Sequence, residues 1–120
     1  MNFFDVIWLY DRAIRPQKNK MQICIDYDEG WFLRINTRGV IRPCVPISKA
    51  LNPFLDHDSH IDCSLYIVDE AEIEEVVRLD GVYGTVNLCH AEDTLNALIR
   101  SIHISTRDKE QLRVLFAPHI

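Results

Sequence analysis

A chain of 120 residues, 48% hydrophobic and 26% charged, is long enough for one domain with one core and too short for two ordinary ones. That balance excludes a disordered or low-complexity protein, and no apolar run approaches the ~20 residues that cross a bilayer. The net charge of −5 hides an uneven split: residues 1–55 carry eight Lys/Arg against five Asp/Glu, and residues 56–120 carry five against thirteen. A basic first half could face phosphate that the acidic second half would repel, although plain solvated surface has the same composition.

Residues 3–10 are apolar at nearly every position and fit either a short helix or a buried strand. Asp5 comes early and no basic segment precedes it, so a secretory signal is not expected and a cytoplasmic location is. Residues 11–20 form a polar, basic connector in which Pro16 turns Arg15 away from helix. Residues 21–25 predict a strand. The acidic turn Asp26-Tyr27-Asp28-Glu29-Gly30 follows, then a second strand over residues 31–37, making a hairpin. Leu33, Ile35 and Thr37 share one face of that strand; Phe32, Arg34, Asn36 and Arg38 share the other.

Pro43 and Pro46 make residues 39–47 an edge or irregular strand. Residues 48–53 suggest one helical turn. A strand over residues 59–68 should turn Ile61, Cys63, Leu65 and Ile67 inward and His60, Asp62, Ser64 and Tyr66 the other way. Asp69, with Glu72 three residues on, caps a short helix to about Leu79, closed by Gly81. Residues 82–88 read as a small strand. From Ala91 the apolar positions Leu95, Leu98, Ile99 and Ile102 fall at helical spacing. Ser105 or Thr106 caps a final helix carrying Leu112, Leu115 and Phe116, stopped by Pro118. Strands early and helices late give an α+β or small-barrel layout.

The densest chemistry lies between Asp56 and Cys63, with three carboxylates, two imidazoles, a hydroxyl and a thiol. Three readings stay open there. A divalent metal could use His57 and His60, but His60 and Asp62 point one way from a strand and Cys63 the other. His57 or His60 could do acid/base chemistry beside a carboxylate. Or Asp56, Asp58 and Ser59 simply satisfy turn backbone groups. Arg34, Asn36 and Arg38 suit phosphate, with Phe32 or Trp31 near enough to stack on a base. Cys24, Cys44, Cys63 and Cys89 lack a Cys-x-x-Cys spacing and read as buried, reduced thiols. No P-loop or dinucleotide fingerprint occurs, so neither a cofactor nor a metal is expected.

The strands Lys20-Met21-Gln22-Ile23-Cys24-Ile25 and Leu33-Arg34-Ile35-Asn36-Thr37 resemble the first strands of the PemK/MazF-like (Kid-like) toxins. The stretch from Pro53 to Cys63 resembles their entry to a central strand, and residues 95–102 their C-terminal helix. The similarity spans roughly residues 16–104 and is closest to uncharacterised members carried on mobile DNA. It implies a small SH3-like antiparallel β-barrel with short helices and a C-terminal helix or helix pair, commonly dimeric. It also implies metal-free cleavage of single-stranded RNA and an antitoxin-like protein partner. The family's strand-ending hydroxyl transfers as Thr37, whereas its loop arginine has no counterpart in residues 26–30. The resemblance thus carries over Thr37 alone as a catalytic residue; the chemistry of the residues themselves adds His57 and His60 as catalytic candidates and Arg34, Asn36 and Arg38 on the substrate. The alternative is a non-catalytic interaction module using the outer face of the strand at 59–68 or the last helix.

Overall fold

The computed structural model describes residues 1–11, 16, 18–40 and 42–120. Six strands, β1 (Asp5–Asp11), β2 (Lys18–Asp26), β3 (Trp31–Asn36), β4 (Cys44–Ile47), β5 (Ser59–Ile67) and β6 (Gly84–Thr85), form one antiparallel sheet in the order β4-β5-β3-β2-β1-β6. Three helices, α1 (Glu70–Asp80), α2 (Ala91–Ile99) and α3 (Thr106–Phe116), complete a mixed α+β domain. The sheet curls into a half-barrel whose end strands, β4 and β6, do not pair with each other. Register shifts between Cys24 and Asp26 and between Phe32 and Arg34 help the curl, because an extra residue in one strand sharpens the local twist.

The sheet is covered on both faces. On the concave side Phe4, Val6, Ile23, Leu33, Ile35 and Ile61 meet Leu98, Leu112 and Phe116 from α2 and α3. On the convex side Ile7, Leu9, Cys24, Phe32 and Val68 meet Ile73 of α1. Burial on both sides explains why residues 3–10 show no alternation: β1 is apolar at almost every position because each face has a partner. The early polar connector is shorter than expected, since Lys18 and Lys20 already belong to β2. The expectation for Arg15 lies outside the described residues.

The helix-ending residues are as read, although Asp69 caps through the Ala71 amide and not the Glu72 amide that a capping box uses. Asp69 accepts from the Ala71 amide at 3.1 Å, Gly81 ends α1 at φ 70°, and Ser105 accepts from the Asp108 amide at 3.1 Å. The single helical turn expected over residues 48–53 is present, closed by the Asn52 amide bonding the Ser48 carbonyl at 3.0 Å. Two expectations fail. Ile67, expected inward, is 71% exposed, because the cover over the concave face has ended by the last residue of β5. Ile102 is 90% exposed, because α2 stops at Ile99. Among the described residues no helix is long and apolar enough to cross a membrane.

Candidate functional site: a cavity at the open end of the sheet

The loop between β4 and β5 is built around Asn52. Its buried side chain donates from Nδ2 to the Ser48 carbonyl at 2.9 Å and meets His90 Nε2 at 3.1 Å, while its Oδ1 accepts from the Asn87 amide at 2.8 Å. Leu55 pins the loop into the core, and Phe54 fills the space beside Gly84, where a side chain would collide with its ring. The Asp58 carboxylate accepts from the Lys49 amide at 2.8 Å. The loop therefore presents Asp56 and His57 from a fixed frame.

His57 is oriented by its own neighbours. Its Nδ1 lies 3.1 Å from the Asp58 carbonyl and 3.3 Å from Ser59 Oγ, and that hydroxyl lies 3.1 Å from the His57 carbonyl. A carbonyl only accepts, so Nδ1 carries the proton, and Ser59 passes its own hydrogen to the His57 carbonyl. In the neutral ring Nε2 is then the basic nitrogen, on an exposed side chain. His57 lines a cavity of about 200 Å³ together with Trp8, Lys18, Asn19, Lys20, Thr37 and Asp56. Thr37 and His57, chosen from separate parts of the sequence, thus share one cavity at the open end of the half-barrel.

The remaining candidates lie elsewhere. Arg34 and Asn36 sit on the convex face, as strand alternation requires when Thr37 is concave. The Arg34 guanidinium lies 4.3 Å above the Tyr66 ring. Asn36 Oδ1 accepts from the Lys20 ammonium, and Lys20 also lines the cavity that holds Thr37 and His57. Arg38 is exposed on the segment leaving β3. His60 lines a different cavity, of about 390 Å³, with His90, Asp58 and Ser59. Burial lowers the His90 pKa, with the nearby Asp93 acting against it.

Sequence reasoning missed a polar row across the convex face. Gln22, Arg34, Asp62 and Cys44 stand opposite one another on four successive strands. Gln22 and Asp62 are buried; among the described residues the Gln22 side chain and His60 Nδ1 have no hydrogen-bond partner, and the Asp62 carboxylate faces Ser64 outside ordinary hydrogen-bond geometry. Burial pushes the Asp62 carboxyl above its ordinary value, against the opposing pull of Ser64, Arg34 and Lys20. The signal available in the sequence was Gln22, a polar residue interrupting an apolar strand. Among the described residues, no three His, Cys, Asp or Glu side chains converge as metal ligands.

Cys24 and Cys63 are buried, and burial pushes both thiols up to about 12; Cys89 is exposed, unlike the buried thiol expected there. No protein-family model, curated protein or solved structure matches this chain.

Proposed function

We propose that the half-barrel is a small barrel of the SH3-like, PemK/MazF kind and that it binds and cleaves single-stranded RNA at the cavity holding Thr37 and His57. The observation that carries this reading is the company His57 keeps. A tautomerically defined imidazole with an exposed Nε2 shares about 200 Å³ with a hydroxyl, the lysine Lys18 and the indole of Trp8.

Each group has a matching task. The Nε2 of His57 takes the proton of a ribose 2′-hydroxyl. The 2′-oxygen then bonds to phosphorus, and the 5′-oxygen leaves with a proton from water, giving a 2′,3′-cyclic phosphate and a 5′-hydroxyl. Thr37 donates to a phosphate oxygen, Lys18 offsets phosphate charge, and Trp8 offers a face for a base. Arg34 and Asn36 are on the other face, so a strand reaching them would have to pass the rim of the sheet.

The test is cleavage of a labelled single-stranded RNA by pure protein in EDTA. Activity is expected, with His57→Ala lowering it about 10²- to 10⁴-fold, the usual contribution of a positioned acid or base. The absence of both cleavage and RNA retardation at low salt, where phosphate contacts are strongest, would end the reading.

A further inference from the structure

The edge of β5 is bare over its last residues. β4 pairs with β5 only from Ser59 to Asp62, and one further bond runs from the Cys63 amide to the Pro43 carbonyl at 3.1 Å. On the other side the Val68 amide bonds the Gly30 carbonyl at 2.8 Å, which turns the even-numbered residues at this end toward β3. The backbone N–H and C=O of Ile67 therefore point outward, and among the described residues no strand pairs with that side of residues 64–67.

Beside this edge lies a groove of about 320 Å³, floored by Trp31, Leu65 and Ile104, with the exposed Ile67 on its rim. Its surroundings are acidic. The turn carrying Asp28 and Glu29 is tied to the end of β5 by the Gly30–Val68 bond. Asp69 and Glu70 follow β5 after Val68, and Asp108 lines the groove, as does His103. Asp26 is joined to α3 through Gln111 at 3.1 Å.

We infer that this edge is a docking site for an extended, cationic peptide segment of a partner protein. The segment adds as a strand to β5. Its backbone meets the outward groups of Ile67, an apolar side chain enters the groove over Trp31, and its Lys or Arg residues meet the acidic rim. A sheet edge demands an extended backbone, and the carboxylates select its charge. The inference gives a site and a partner chemistry to the protein-interaction alternative. It is independent of the RNA reading, because the edge and the Thr37–His57 cavity share no lining residue.

The test uses the whole protein and three fluorescein-labelled six-residue probes: alternating lysine and valine, alternating glutamate and valine, and the lysine probe N-methylated on alternate amides. Anisotropy should show binding of the first and roughly tenfold or weaker binding of the other two. Hydrogen exchange should show the Ile67 amide slowed by the lysine probe. Ile67→Pro, which removes the outward N–H and leaves the β3 ladder intact, and Ile67→Lys, which keeps the N–H but adds like charge, should each weaken binding by a similar factor. Equal binding of lysine and glutamate probes overturns the inference. So does undiminished binding of the methylated probe, or indifference to both variants. Protection of Ile67 that grows with protein concentration alone would make a second copy the occupant and also overturn it.

Discussion

Asn52 holds the loop that carries His57, and its removal has a size and a pH signature that can be worked out in advance. Asn52→Ala deletes three hydrogen bonds at a fully buried site and leaves the Ser48 carbonyl, the Asn87 amide and His90 Nε2 without that partner. At about 1 kcal/mol each, the loss is about 3 kcal/mol. With an unfolding entropy of roughly 2.1 cal/mol/K per residue over 120 residues, Tm should fall by about 12 °C. Asn52→Asp is the sharper perturbation. It turns the Nδ2 donor into an acceptor facing two acceptors, the Ser48 carbonyl and His90 Nε2. A proton on His90 repairs one of those clashes.

In the wild type, His90 accepts from Asn52, and burial lowers its pKa below the ordinary 6.5. The unfolded chain therefore binds the proton more readily, so this contribution is complete above about 6.5 and is lost as pH falls through the lower, folded value. In Asn52→Asp the sign reverses: the carboxylate raises the His90 pKa, and the deficit relative to wild type shrinks as pH falls. Urea melts of the three proteins between about pH 8 and pH 5.5 would read this. Parallel pH profiles for wild type and Asn52→Asp, or a cost below about 0.5 kcal/mol for Asn52→Ala, would refute the role assigned to this side chain.

Three further outcomes are expected. Phe4 is buried at φ 68°, so Phe4→Ala should cost about 3–5 kcal/mol, and Phe4→Gly should be more stable than Phe4→Ala by about 1 kcal/mol, the reverse of the usual order, read by urea melts. Asp62 has a raised pKa in the fold, so its contribution is complete below the ordinary 3.8 and lost as pH rises; Asp62→Asn should gain about 1 kcal/mol at neutral pH and nothing near pH 3, and destabilisation at neutral pH would instead mean a carboxylate held by Arg34. With Ellman's reagent the native protein should form a mixed disulfide at Cys89 quickly, releasing thionitrobenzoate, and at Cys24 and Cys63 only as fast as it unfolds.

The elements with a short-range signature were legible. The hairpin of β2 and β3 follows from an acidic turn ending in Gly30, whose φ of 69° favours glycine and where a Cβ would lie 2.3 Å from the Val68 carbonyl oxygen. Asp69 and Ser105 mark their helices because a side-chain acceptor must precede unsatisfied amides. What failed depended on distant cover. Nothing local tells Ile67 that the concave face is bare at its end of β5, or tells Ile102 that α2 has already stopped. The helical turn at 48–53 was legible locally, whereas the side-chain bonds of Asn52 to Asn87 and His90, 35 and 38 residues away, were not.

The site follows the same division. Thr37 and His57 meet because β3 and the loop before β5 end at the same rim of the sheet, a proximity set by β3–β5 pairing that no spacing in the chain encodes. The separation of Thr37 from Arg34 and Asn36 was legible, because residues one or three apart on a strand point to opposite faces. Grouping all of them around one phosphate overrode that alternation. The convex positions instead form a row of their own, in which the buried Gln22 and Asp62 stand on either side of Arg34. Charge follows topology too. Lys18 and Lys20 are two apart on β2 and share a face, and both line the cavity, with the Lys20 ammonium bonded to Asn36 Oδ1. Two cations of the basic first half therefore stand at the cavity, and Lys20 is already held by a neighbouring side chain.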